Sequence, residues 1–381
     1  MGFSSRFAFH AWHRHGTDRH DDHRETQDVV RRRRQRGAFA GLIAALVCPP
    51  VWADTDLRIA VFHTELSRDG PGLLLRDILS DKDEQVAAFA RVVGHIAPDV
   101  LVLADVDFDH GQAALNALAE TIGGYRYRFA SLPNTGRRSG HDLNGDGRFG
   151  RSEDAWGYGE FTGQGGMAIL SKLPLGQVKD YSSEKWSDLP DTMALPGTHP
   201  EQPLSTRSHW EVPVLLADGR YVTLLTWHAT APVFDGPEDR NGRRNHDEAA
   251  VWVTRLNSDP PQNVIVAGFA NLDPLDGDGR PEALTALLGH PLLRDVYPES
   301  QGGDAAGRAD KTHRSPAQFD TVAWPQDGPG NLRVDYVLPS RAFEVIDAGV
   351  FWPLPDQFLA SEVARASRHR MVWVDVRLPE R

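Results

Sequence analysis

Two residue patterns in this chain could do chemistry. The first is a twelve-residue loop, Asp142-Leu143-Asn144-Gly145-Asp146-Gly147-Arg148-Phe149-Gly150-Arg151-Ser152-Glu153. Side-chain oxygens stand at its first, third, fifth and twelfth places, glycine at the sixth and an apolar residue at the eighth. This is the spacing with which an EF-hand loop wraps Ca²⁺. Short oxygen side chains converge, glycine permits the sharp turn, and the last Glu closes the shell with both oxygens. The pattern points to Ca²⁺ held by Asp142, Asn144, Asp146, the main chain of Arg148, and Glu153. No strong flanking helices accompany it, so the ion would stiffen a long loop. A polar Gly/Asp turn is the plainer alternative.

The second pattern is a set of carboxylates, an amide and imidazoles at the ends of apolar runs: His63, Asp105, His228, Asn271, Asp335 and His369, with Arg368 beside the last. An Asp is a hard oxygen ligand for a divalent cation. An imidazole binds metals or moves protons near neutral pH, and a guanidinium clamps phosphate. Each has a bland counterpart. Asp105 sits with Asp107 and Asp109 in what could be a solvated acidic loop, and a lone His after an apolar run is often only a satisfied structural residue.

The elements that must position these side chains alternate between strands and helices. Alternation predicts a strand over 57–62. Val86, Phe89, Ala90, Val93 and Ile96 lie at helical spacing over 83–96, with Ser80 and Asp81 as capping candidates. Pro98 stops that helix before a buried strand over 99–103. A helix over 111–122 is followed by strands over 166–171, 210–216, 221–227 and 264–267, where Gly268 is expected to open into a loop. Helices are expected over 245–256 and 282–288, and strands over 333–338 and 371–377. Adjacent strands among the helices predict mixed rather than purely parallel sheets. Long loops over about 134–165, 180–208, 229–244 and 296–331 are expected to carry function or be disordered.

The 381 residues have ordinary globular composition, 40% hydrophobic and 25% charged. Arg31-Arg32-Arg33-Arg34-Gln35-Arg36, the apolar run 38–47 and Val51-Trp52-Ala53 before Asp54 are laid out as a secretory signal peptide. The apolar run is too short to span a membrane, and Pro49-Pro50 interrupts it. The expected organisation is therefore an extension and signal over 1–53, then one domain over 54–381, exported or periplasmic. The only cysteine, Cys48, falls in the first part, so the mature chain would lack disulfides. Residues 1–53 hold nine of the 41 Lys+Arg and five of the 53 Asp+Glu, which leaves a net charge of about −16 beyond them. That argues against a broad nucleic-acid-binding face, which needs clustered Lys and Arg.

In their order these motifs resemble the endonuclease/exonuclease/phosphatase superfamily, over nearly all of 57–378. The run Pro232-Val233-Phe234-Asp235-Gly236-Pro237-Glu238-Asp239-Arg240-Asn241-Gly242-Arg243-Arg244-Asn245-His246-Asp247-Glu248 is similar to a long loop of one secreted bacterial subgroup. The resemblance implies an α/β four-layer sandwich of two packed mixed β-sheets flanked by helices, with strand-end loops meeting at one site. It also implies an ancestral divalent-metal-dependent phosphoester hydrolase, with diesters the expected class. By the same resemblance, Asp105 and His63 would hold Mg²⁺ or Mn²⁺, with Zn²⁺ in a rebuilt His/Asp set as the alternative. His228, Asn271 and His369 would stabilise the phosphate, and Asp335 would hold or orient the cation.

Several positions depart from the family pattern. The family's Gly-Asp-x-Asn, whose Asp helps activate water, reads Gly268-Phe269-Ala270-Asn271 here. Phe-Asn reads Phe62-His63, Asn-Glu reads Ala104-Asp105, and Ser-Asp-His reads Ser367-Arg368-His369. A Tyr common in the family is Gly165. The expectation is therefore an eroded or rebuilt site in a monomer's cleft for a phosphoester or other anionic ligand, with a non-catalytic binding protein as the alternative.

Overall fold

Strand β1 (Asp56–His63) shows why this chain must fold in layers. Leu57, Ile59 and Val61 project to one side and Ala60 and Phe62 to the other, yet all five are buried. A strand apolar on both faces needs cover on both. The computed structural model describes residues 56–308, 313–325 and 327–378. The signal-peptide reading of 1–53 lies outside the described residues.

After β1 come α1 (Leu73–Ser80), α2 (Glu84–Ile96), β2 (Val100–Val106), α3 (Ala113–Ile122), β3 (Tyr127–Phe129) and β4 (Gly166–Ser171). Then follow β5 (Lys179–Asp180), β6 (His209–Leu215), β7 (Tyr221–Trp227), α4 (Arg240–Ser258), β8 (Val264–Phe269), α5 (Glu282–Leu288) and α6 (Gln301–Gly307). The chain ends through β9 (Val322–Ala323), β10 (Asn331–Leu332), β11 (Asp335–Pro339), β12 (Glu344–Val350), α7 (Ala360–Ala366) and β13 (Val372–Arg377).

One sheet has the order β12-β13-β1-β2-β4-β3 and the other β11-β8-β7-β6-β5, with β9 and β10 as a separate ribbon. Both sheets are mixed: β1 runs parallel to β2, and β7 to β8, among antiparallel neighbours. Ile59, Val61, Val102 and Ile169 of the first sheet pack against Trp210, Val212, Leu224 and Ile265 of the second. The first sheet's outer face, with Phe62 and Leu103, is covered by Phe89 and Val93 of α2, Leu118 of α3 and Val363 of α7. The second is covered by Trp252 and Leu256 of α4 and Leu284 and Leu287 of α5. The four-layer sandwich expected from the sequence is thus present.

Three local readings need correction. Neither Ser80 nor Asp81 caps α2. Its cap is Asp83, which accepts the Val86 N–H at 2.8 Å, while Asp81 ends α1. Helix α4 begins at Arg240, inside the expected 229–244 loop, because buried polar side chains anchor its first turns. Gly268 does not open a loop. It pairs with Tyr336 inside β8, and a Cβ there would stand 2.5 Å from the Trp227 ring, so this glycine serves close packing.

Candidate active-site cleft

The two sheets bring His63, Asp105, His228, Asn271 and His369 to one cleft of about 470 Å³. His63 ends β1, and His228 follows β7 and bridges to Phe269 at the end of β8. The His63 and His369 rings stack 4.1 Å apart at 12°, and His228 meets His63 edge-on at 5.0 Å. Burial, first of all, pulls the pKa of both His63 and His228 well below 6.5, so they are neutral at pH 7.

Asp335 lies beneath this cluster, at the start of β11. Its Oδ2 accepts the Nδ1–H of His369 at 2.8 Å, with both side chains buried. A carboxylate can only accept, so this contact fixes the His369 tautomer and leaves Nε2 for a ligand. The Oδ1 of Asp335 is buried without a partner among the described residues. Thr321 Oγ1 accepts the N–H groups of Val334 and Asp335, and Ser367 Oγ donates to the His63 carbonyl while accepting the His369 N–H. Backbone from three separate segments thereby holds the pair.

Phe269 faces Asp335 across the β8–β11 pair and is 0% exposed. Its ring packs 5.5 Å from His228 and 5.9 Å from His63. The place where the resemblance expects a water-activating acid is thus dry and apolar.

Asp105 reaches the cleft through a bulge. Pairing of β2 with β4 slips between Ala104 and Val106, and Asp105 takes φ of 60°. A bulge re-aims the extra side chain. Burial chiefly raises the Asp105 pKa, opposed by the nearby Arg207. Gly165 is required beside it, since a Cβ there would lie 2.6 Å from the Asp105 Oδ1. Asn271, also left-handed at φ 51°, ties β7 to β8 by donating Nδ2–H to the Ala229 carbonyl at 2.7 Å.

Three further residues shape the cleft that sequence reasoning did not single out. Glu65, at φ 52°, accepts from the Arg368 N–H at 2.7 Å and from its Nε at 2.7 Å, and forms an ion pair with its guanidinium. An acid two residues beyond the strand is a faint signal. Arg207 donates Nε–H to the Gly165 carbonyl at 3.1 Å and lines the cleft; no motif marks it. Trp324 stands edge-on to His369 at 5.5 Å. With Pro232, Val233, Phe234 and Leu332 it gives the cleft an apolar lip.

The long run 232–248 supports this cleft from behind. Glu248 accepts the N–H groups of Thr206 at 3.0 Å and Thr230 at 2.6 Å, the neighbours of Arg207 and His228. Arg244 donates to the Pro203 and Leu204 carbonyls, and Asn245 to those of Thr230 and Ala270.

The expected cation sites do not match this arrangement. Among the described residues no three His, Cys, Asp or Glu side chains come together as a metal-binding group. Glu65 is committed to Arg368 and Asp335 to His369. The parallel rings of His63 and His369 direct their in-plane lone pairs along separate lines. In the 142–153 loop, Asp142 accepts the N–H groups of Gly145, Asp146 and Gly147, and Asn144 and Asp146 accept others. Glu153, however, is exposed, and its neighbour Asp154 turns inward to accept from Leu143 and Arg151. The ring of ligands is therefore open at its twelfth place.

The model of the endonuclease/exonuclease/phosphatase family matches residues 75–369. The crystal structure of an endonuclease/exonuclease/phosphatase from Beutenbergia cavernae is 21% identical, with a TM-score of 0.53 over 85% of this chain and 72% of that one. A family protein from Bacteroides thetaiotaomicron is 13% identical, with a TM-score of 0.51 over 86% of this chain and 100% of that one. At these identities the likeness shows the fold. No curated protein matches the chain.

Proposed function

This chain belongs to the endonuclease/exonuclease/phosphatase family, and from that premise we propose that it hydrolyses a phosphoester, a diester for preference, at a rebuilt site. The observation that carries this reading is the buried His369–Asp335 pair at 2.8 Å, set in a cleft with two guanidiniums. Arg207 and Arg368 would hold the phosphoryl oxygens and offset charge in the transition state. His63, His228 and Asn271 would offer neutral polar contacts. Asp105, whose raised pKa makes it a better base, would take a proton from the attacking water. As the water oxygen bonds to phosphorus and the bond to the departing oxygen breaks, His369, entering as imidazolium with its Nδ1–H on Asp335, would give its Nε2 proton to that oxygen, and Asp335 would stabilise and orient the ring. The residues present do not fit a divalent ion held by Asp105 and His63, so no step runs through one.

A non-catalytic anion-binding protein is the second reading, favoured by the dry Phe269 ring where an acid is expected. Export by way of residues 1–53, and Ca²⁺ at the 142–153 loop after Glu153 turns inward, belong to the same proposal. The test is turnover of bis(p-nitrophenyl) phosphate by purified protein with EDTA, and with Mg²⁺, Mn²⁺, Ca²⁺ or Zn²⁺. Turnover that survives EDTA and is lost in His369→Ala supports the rebuilt site. Turnover that requires an added ion overturns the metal-free assignment. None under any condition, from folded protein, leaves the binding reading.

A further inference from the structure

A second pocket, of about 490 Å³, lies apart from the catalytic residues, between α6, α7 and the segment after β12. Its walls are apolar and small: Ala305 and Ala306 from α6, Val363 and Ala364 from α7, with Trp352 and Pro353 between. Gly302 is needed here, because a Cβ would stand 2.2 Å from the Trp352 ring. One charged group, Arg370, lines this apolar space.

Arg370 is 6% exposed and lacks a counterion among the described residues. Its Nη1 donates to the Ser367 carbonyl at 2.6 Å and the His369 carbonyl at 3.2 Å, and its guanidinium lies 4.6 Å from the Trp352 ring centre. Its Nε–H is buried with no acceptor among the described residues. Burial lowers its pKa to about 10, which still leaves it charged at neutral pH. The carboxylate whose field reaches it is Glu65, and that is paired with Arg368. A buried cation held by two carbonyls and a ring, without an anion, is an unfavourable arrangement that an anionic ligand would relieve.

We propose that this pocket binds a small monocarboxylate with an apolar body, its carboxylate seated on Arg370 and its body against Trp352 and the alanines of α6 and α7. A planar carboxylate matches the guanidinium fork. A single cation in apolar walls suits one negative charge, and a phosphate dianion would bring charge that nothing here balances. Because Arg370 also holds the carbonyls on either side of Arg368, an occupant would bear on the segment that carries His369.

The test is calorimetric titration of the full chain with benzoate and hexanoate, with inorganic phosphate as the probe of the catalytic cleft. Carboxylate binding is expected to weaken roughly tenfold or more in Arg370→Gln. Ala364→Phe, which fills the pocket from the surface of α7 and spares Arg370, is expected to abolish it while leaving phosphate binding and the thermal midpoint near wild type. Carboxylates that bind Ala364→Phe as tightly as wild type would overturn the proposal, as would their failure to bind folded wild-type protein at up to about 10 mM. Failure of the phosphate arm alone would count against the catalytic reading and leave this one standing.

Discussion

Asp335 and Phe269 occupy paired positions on adjacent strands, β11 and β8, yet their surroundings differ in kind. Asp335 accepts from His369, and its own N–H reaches Thr321, so the carboxylate is held in a polar frame. Phe269 is packed against the edges of two imidazoles that burial keeps uncharged. Of these two paired positions, one is therefore polar and ordered and the other is part of the core. An acid beside neutral, desolvated imidazoles would be a buried charge with little to balance it, so the Phe ring and the low imidazole pKa values belong together.

The comparison is broken most severely at its polar side. Asp335→Asn keeps the size of the side chain but removes the charge that steadies the His369 imidazolium, and a fall of roughly 10²–10⁴-fold in kcat is expected. A steady-state assay resolving kcat from KM checks this; a change confined to KM would mean that the pair only binds. At the apolar side, Phe269→Asp is expected to destabilise the fold by about 3–5 kcal/mol, through lost packing and a buried charge, as read from urea unfolding. Its turnover should fall. A rise would show that the cleft still follows the family's chemistry and lacks only the acid.

Acid tests the same contrast without mutation. His63 and His228 have folded pKa values well below 6.5, and burial takes that of His209 to about 4. Below 6.5 the unfolded chain binds protons that the folded one refuses, so stability rises with pH and is lost as pH falls from 6.5 towards 4. His209 alone accounts for about 3 kcal/mol of that loss. A thermal midpoint that stays level between pH 7 and 4.5 would show that these imidazoles reach water.

Smaller effects come from the cleft's edge. Gly165→Ala places a Cβ against the Asp105 carboxylate at a left-handed φ of 54°, and about 1–3 kcal/mol of destabilisation is expected by the same unfolding measurement. Smallest is the 142–153 loop: Ca²⁺ is expected to raise the thermal midpoint by about 2–4 °C in wild type and not in Asp142→Ala.

The fold was legible to the degree that apolar spacing was strong. Strands β4 and β7 and helix α5 fall on the residues that the pattern marked, because uninterrupted apolar or helical spacing leaves few registers. Helix α4 is longer than its apolar spacing because residues 240 to 244 look like loop, and only bonds such as those of Asn241 to Val233 and of Arg244 to Pro203 and Leu204 make a helical start favourable. Helices α1, α6 and α7 leave little trace in the apolar spacing: each is short, and α6 carries Gly302 and Gly303 near its start. At the site, His63, Asp105, His228, Asn271, Asp335 and His369 were all marked as strand-end residues, and the structure brings them together. Arg368 was marked as a clamp but not as the partner of Glu65, which lies 303 residues away in the chain.

By itself, the residue pattern determined mixed sheets of strands alternating with helices, the resemblance supplied the four-layer arrangement, and the strand ends that depart from the family pattern were marked. Only the tertiary structure decided which charges are balanced. Arg368 and Arg370 are two residues apart and chemically alike, but the first meets Glu65 and the second meets carbonyls, an indole and an open pocket. Charge compensation depends on distance through space and on the loss of water around each group, and neither is written in the local order of residues.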